Sequence, residues 1–87
     1  MADYRVFIKA FAGRELERFG TKSDRARIVE RIRALAIAPR PHGSEKLAGY
    51  ADRFRIRQGN YRIVFLVDDL RHEITIFKIG DRKNVYR

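Results

Sequence analysis

Arg53, Arg55 and Arg57 recur at every second position, and no acidic residue occurs from Arg53 through Val67. On a β-strand that spacing carries all three guanidinium groups to one face. Arg62 follows just beyond Gly59-Asn60, a dipeptide suited to a tight turn. If the chain reverses there, Arg62 returns on a paired strand, on the Arg57 side of its neighbour. Cations held that close repel one another, so stability does not explain them. A phosphate backbone would, because each planar guanidinium fork grips phosphate oxygens bidentately. The plain alternative is a solvated basic face on an ordinary β domain. A second group lies in Gly80-Asp81-Arg82-Lys83-Asn84-Val85-Tyr86-Arg87, where Tyr86 is flanked by Arg82, Lys83 and Arg87. A free phenol, with a pKa of about 10, is a poor base at neutral pH. Neighbouring cations favour the phenolate and lower that value. Tyr86 is therefore a candidate acid–base group, set against a terminal aromatic that merely closes one end of a sheet.

Such residues need elements to position them. Tyr4, Val6 and Ile8 alternate with Arg5 and Phe7 and predict a first strand. Gly13 to Phe19 reads as a short helix with Leu16 and Phe19 inward. Gly20 and Thr21 break that pattern, and Ser23 or Asp24 is placed to cap a second helix. Ile28, Ile32, Leu35 and Ala36 mark one face of that helix, and Arg25, Arg27, Glu30, Arg31 and Arg33 mark the other. Pro39 and Pro41 end it and open a loop through Gly43 to Gly49. Phe54 and Ile56 then point away from the arginines. Tyr61, Ile63, Phe65 and Val67 share one face of the next strand, with Arg62, Val64 and Leu66 on the other. Asp68-Asp69 supplies a turn, and Ile74 to Ile79 forms a third consecutive strand stopped by Gly80. The predicted plan is β-α-α-β-β-β, a single α+β domain over residues 1–87. Two helices cover one face of a small, mostly antiparallel sheet, which leaves the second face free for use.

Composition sets the bounds. Eighty-seven residues, 45% of them hydrophobic, suffice for one modest core. The chain has no cysteine, which removes disulfides, thiolate nucleophiles and cysteine metal sites, and suits a reducing cytosol. His42 and His72 are too far apart in sequence to suggest a metal site unaided. Asp3, Arg5, Lys9, Arg14, Glu15 and Arg18 interrupt the first residues, so no secretory apolar segment is expected. No apolar run approaches the roughly 20 residues of a membrane helix. Twenty Lys and Arg against eleven Asp and Glu give a net charge of +9. That imbalance concentrates polyanions near the protein, with nucleic acid the first candidate and an acidic protein the second.

Three strings carry a likeness to a known family: Glu45-Lys46-Leu47-Ala48-Gly49; Phe54-Arg55-Ile56-Arg57 with Gly59-Asn60-Tyr61-Arg62-Ile63-Val64-Phe65; and Ile79-Gly80-Asp81-Arg82 through Val85-Tyr86. Together they resemble the RelE/ParE superfamily of type II toxin–antitoxin toxins, and within it the RelE branch of ribosome-dependent mRNA interferases. The likeness spans the whole chain. It implies a cytoplasmic endoribonuclease that cleaves messenger in the A site of the 30S subunit without metal or other cofactor. Tyr86 then matches a general base on the ribose 2′-hydroxyl. Arg55 and Arg57 match a cationic pair that holds the substrate, Arg62 a cation on the scissile phosphate, and Arg82 one that assists the leaving 5′-oxygen. Arg53, Lys46, Lys83 and Arg87 complete the candidate RNA contacts. Many relatives carry lysine where this chain has Arg55 and Arg57, and Asp81 stands where they often have a basic residue. A ParE-like inhibitor of DNA gyrase, or an inactive RNA-binding relative, is the alternative. Each reading implies an acidic antitoxin, bound in a hetero-oligomeric complex, and no membrane.

Overall fold

A computed structural model describes residues 3–18 and 20–81 of the chain. Strand β1 (Arg5–Ile8) runs straight into helix α1 (Ala10–Arg18), which starts earlier than the sequence pattern implied. Its buried residues are Ala12 and Glu15, while Leu16 packs half-buried against the core. Phe19, expected to point inward, lies outside the described residues. Gly20 then turns the chain with φ 74°, and a Cβ added there would run into the hydroxyl of Tyr61. Only glycine suits both conditions.

Helix α2 (Lys22–Ala34) is capped by Thr21, one turn before Asp24. Asp24 N donates to Thr21 Oγ1 at 3.1 Å, and Thr21 N donates to Asp24 Oδ2 at 3.2 Å. This is a reciprocal capping box, so Asp24 is the third helical residue of the box and not its cap. Ile28, Ile32 and Leu35 are buried on one face of the helix as its spacing implies.

Strands β2 (Glu45–Lys46), β3 (Arg53–Gln58), β4 (Tyr61–Asp68) and β5 (Glu73–Asp81) complete one sheet in the order β1-β5-β4-β3-β2. β1 pairs parallel with β5, and every other pair is antiparallel. The architecture is α+β, two helices packed on a mixed, mostly antiparallel sheet. β2 is the one addition to the expected plan: two residues of the loop after α2 add a fifth, edge strand beside Phe54 and Arg55.

Phe54, Ile56, Ile63, Phe65, Val67, Ile74, Ile76 and Ile79 face the helices and form the core with Ile28, Ile32 and Leu35. Strict alternation would put Ile79 on the opposite face from Ile74 and Ile76. A β-bulge resolves the conflict. Val64 pairs with Lys78 but Phe65 pairs with Ile76, so Phe77 is the extra residue on β5. The bulge keeps all three isoleucines inside. No described helix is long and apolar enough to cross a membrane.

Candidate nucleic-acid interface

The face of the sheet away from the helices is built in rows. Arg57 pairs with Arg62, which pairs in turn with Gly80. The next row is Arg55, Val64 and Lys78, and the third is Arg53, Leu66 and Thr75. Arg53, Arg55, Arg57 and Arg62 thus share one face, opposite buried Phe54, Ile56 and Ile63, as their spacing predicts. The hairpin turns at Gly59-Asn60. Gly59 takes φ 61°, and His72 is the one described non-glycine residue with positive φ, so the turn has the type II′ pattern.

Backbone polarity sharpens the contact between Arg57 and Arg62. The carbonyl of Arg53 accepts from Leu47 N at 2.9 Å, and that of Arg57 from Arg31 Nη2 at 3.5 Å. Both carbonyls point away from β4. Arg57 and Arg62 therefore form a non-hydrogen-bonded pair, the type in which cross-strand side chains lie closest. Neither takes part in an ion pair among the described residues, and Arg62 Nη1 is buried with no hydrogen-bond partner. A buried, unpaired guanidinium nitrogen beside a second cation is unfavourable in the isolated protein. An anion laid across the row would supply the missing charge.

Elsewhere the face is better compensated. Arg55 Nη2 lies 3.0 Å from Glu45 Oε2, an anion that arrives from the edge strand β2. Arg53 is held by rings: its Cζ sits 4.3 Å from the centroid of Tyr50 and 5.1 Å from that of Phe77, and its Nε is buried without a partner. Lys78 was not foreseen as part of this face, because simple alternation from Ile74 and Ile76 would turn it inward. The Phe77 bulge moves it outward, where its Nζ lies 3.5 Å from Glu15 Oε2 and 5.2 Å from the Phe11 ring centroid. The signal was present in the spacing of Ile74, Ile76 and Ile79, which changes phase by one residue.

Lys46 does not join the arginines. It pairs with Phe54 and so sits at the sheet edge, on the side that faces the helices. Tyr86, Arg82, Lys83 and Arg87 lie outside the described residues. β5 does lead toward the arginine row: Gly80 is opposite Arg62, and Asp81 pairs with Tyr61 at the hairpin end of the sheet. No group of three His, Asp or Glu side chains placed to hold a metal occurs among the described residues.

A small α+β domain with a cationic sheet end is the class that fold and site define. A family model, the ParE toxin of type II toxin–antitoxin system, parDE, matches residues 9–86. The chain belongs to that family and is a toxin of a type II toxin–antitoxin system, within the RelE/ParE superfamily. Comparison with curated proteins gives no match. Solved structures similar to this chain include the toxin–antitoxin complex RelBE2 from Mycobacterium tuberculosis, at 26% identity and a TM-score of 0.79, covering 92% of this chain and 99% of that one. The archaeal RelE–RelB complex from Pyrococcus horikoshii is similar at 26% identity and a TM-score of 0.80, covering 94% of this chain and 98% of that one. A mutant of the E. coli toxin RelE in complex with a RelB antitoxin peptide gives 26% identity and a TM-score of 0.77, covering 99% of this chain and 92% of that one.

Proposed function

We propose that this toxin is a ribosome-dependent endoribonuclease whose outward sheet face grips messenger RNA in the A site. The observation that carries the reading is the Arg57–Arg62 pair with its unpartnered guanidinium nitrogen. Two forks on adjacent strands match the spread charge of a phosphodiester, and that charge grows as a ribose 2′-oxygen attacks phosphorus. The step needs no outside nucleophile. The 2′-oxygen forms the new P–O bond, its proton passes to a base, the bond to the 5′-oxygen breaks, and that oxygen takes up a proton from solvent. A 2′,3′-cyclic phosphate and a free 5′-hydroxyl result. Tyr86 is assigned as the base, Arg62 and Arg57 as the groups that stabilise the phosphorane charge, Arg55 as a substrate grip, and Arg82 as the cation at the leaving oxygen. Arginine is a poor proton donor, so Arg82 acts electrostatically. Arg53, Lys83 and Arg87 add backbone contacts.

Primer extension on ribosome-bound messenger tests this. Wild type should give new 3′ ends within the A-site codon, and Arg62→Ala and Tyr86→Phe should each lower cleavage by at least about a hundredfold while the fold persists. Full cleavage by Tyr86→Phe would remove the base from the scheme. A second reading has its own observation: the matching family model is that of ParE. Resemblance to ParE toxins implies inhibition of DNA gyrase with no nuclease step. Loss of supercoiling by purified gyrase in the presence of the toxin, with no RNA cut on ribosomes, would establish that reading over the first. Under either, the cationic face suits an acidic antitoxin that folds as it binds, and similar toxins are seen in complex with RelB.

A further inference from the structure

We infer that the outward face carries a base-stacking platform around Arg53, on the same face as the arginine row, so that the RNA it takes is single-stranded and is held by backbone and bases together. The inference rests on the RNA reading above and specifies the form of RNA. Phe7 is 45% exposed, Phe11 53% and Tyr50 48%, and Phe77 is half-buried at the bulge. Single exposed aromatics are ordinary. These are grouped on one side of the sheet and its margin. Phe7 lies beside Thr75 on the outward face, Phe77 and Tyr50 both contact Arg53, and Phe11 contacts Lys78 from the start of α1.

Each ring is also accompanied by a cation. Arg5 Cζ is 5.9 Å from the Phe7 centroid and Lys78 Nζ 5.2 Å from that of Phe11, each also paired with a carboxylate, Glu73 and Glu15 respectively, while Arg53 serves both Tyr50 and Phe77. Rings and cations interleaved on one surface are the composition of single-strand platforms: flat faces stack on unpaired bases while the cations follow the phosphates. A duplex offers no free base faces to such rings. A guanidinium with a buried Nε that lacks a partner among the described residues sits between two of the rings, Tyr50 and Phe77. Phe77, the extra residue of the bulge, lies against Arg53 next to outward-turned Lys78, so this stretch of β5 supplies one ring and one cation of the platform.

The test is fluorescence anisotropy at low salt with a labelled short oligoribonucleotide, as a single strand and as the blunt duplex of the same sequence. The wild-type chain should prefer the single strand. Phe7→Ala and Tyr50→Ala should each weaken single-strand binding by about five- to a hundredfold and leave the duplex and the salt dependence unchanged, whereas Phe7→Tyr and Tyr50→Phe should bind normally. Equal affinity for strand and duplex, or wild-type binding by both alanine variants, overturns the platform. So does a result in which the alanine variants keep RNA affinity and lose only antitoxin binding, which would make the patch a protein dock. Failure of the nuclease reading is separable: strand-selective, ring-dependent binding without cleavage on ribosomes keeps the platform and discards the enzyme.

Discussion

Arg57 and Arg62 show at the level of single residues what the site costs the fold. Like charges directly opposite on adjacent strands destabilise a sheet, and a non-hydrogen-bonded pair brings them closest. Arg55 escapes this through Glu45, although an ion pair as exposed as theirs contributes little. Replacing Arg57 with threonine, a good strand former, should therefore stabilise the isolated protein by up to about 1 kcal/mol at low salt. Urea unfolding of Arg57→Thr and wild type, at low and at high salt, measures it. The gain should shrink as salt screens the pair, which separates relieved repulsion from strand propensity. RNA affinity should fall in the same variant. A variant less stable than wild type at low salt would show that the two guanidinium groups do not strain the sheet.

At the scale of elements, helix α1 completes an edge that β1 leaves open. β1 ends its pairing with β5 at Ile8 and Ile76, so the backbone of β5 beyond that point lacks a neighbour on one side. Buried Glu15 takes the place of the missing strand: its Oε1 accepts from Ile79 N at 2.9 Å, and its Oε2 faces Lys78. Glu15→Ala should leave a buried N–H unpaired and destabilise the protein by about 1–3 kcal/mol, while Glu15→Gln, whose amide oxygen still accepts, should retain most of the stability. Thermal unfolding of both variants decides it, and equal loss from both would mean the charge on Glu15 matters more than the bond. This contact also marks the limit of what the sequence made legible. The arginine face, the hairpin at Gly59-Asn60 and the apolar face of α2 follow from local periodicity and turn chemistry, and all three were read directly. Glu15 was invisible because its partner is far along the chain. The same holds for Glu45, which reaches Arg55 only once β2 joins the sheet. The phase change at Phe77 was written in the isoleucine spacing, but a strand read by alternation alone passes over it. Thr21 caps α2 where the sequence points equally to Ser23 or Asp24, since any of the three can accept the bond and only the start of α2 chooses among them.

For the whole molecule, the two ends of the sheet are charged on different terms. The hairpin end carries Arg57 and Arg62 without an ion pair among the described residues, whereas the opposite end closes on itself. There Tyr4 Oη donates to Asp69 Oδ1 at 2.6 Å, Arg40 Nη2 donates to Asp69 Oδ2 at 2.6 Å, and the Tyr4 ring stacks on His72 at 4.7 Å. This cluster ties the N-terminal strand, the loop after α2 and the β4–β5 turn into one latch. The hydrogen bond from Arg40, followed by that from Tyr4, holds the Asp69 carboxyl below the usual carboxylate range. The same bond to Asp69 raises the Tyr4 phenol above its ordinary value. A carboxylate depressed on folding contributes stability above its unfolded pKa of about 4 and loses it as pH falls through the folded value. A phenol raised on folding contributes below about pH 10 and loses that contribution as pH rises through its folded value. The latch should accordingly be closed between those limits and open outside them, while neutral pH leaves it unaffected. Asp69→Asn removes the charge that sets both shifts. Urea midpoints followed from neutral into the acid range should then fall less steeply for Asp69→Asn than for wild type, and the same should hold on the alkaline side. Parallel acid limbs for the two proteins would show that Asp69 titrates alike in folded and unfolded chains, and that the latch contributes nothing through its charge. RNA affinity at neutral pH should be the same in both, because the latch and the arginine row stand at opposite ends of β4.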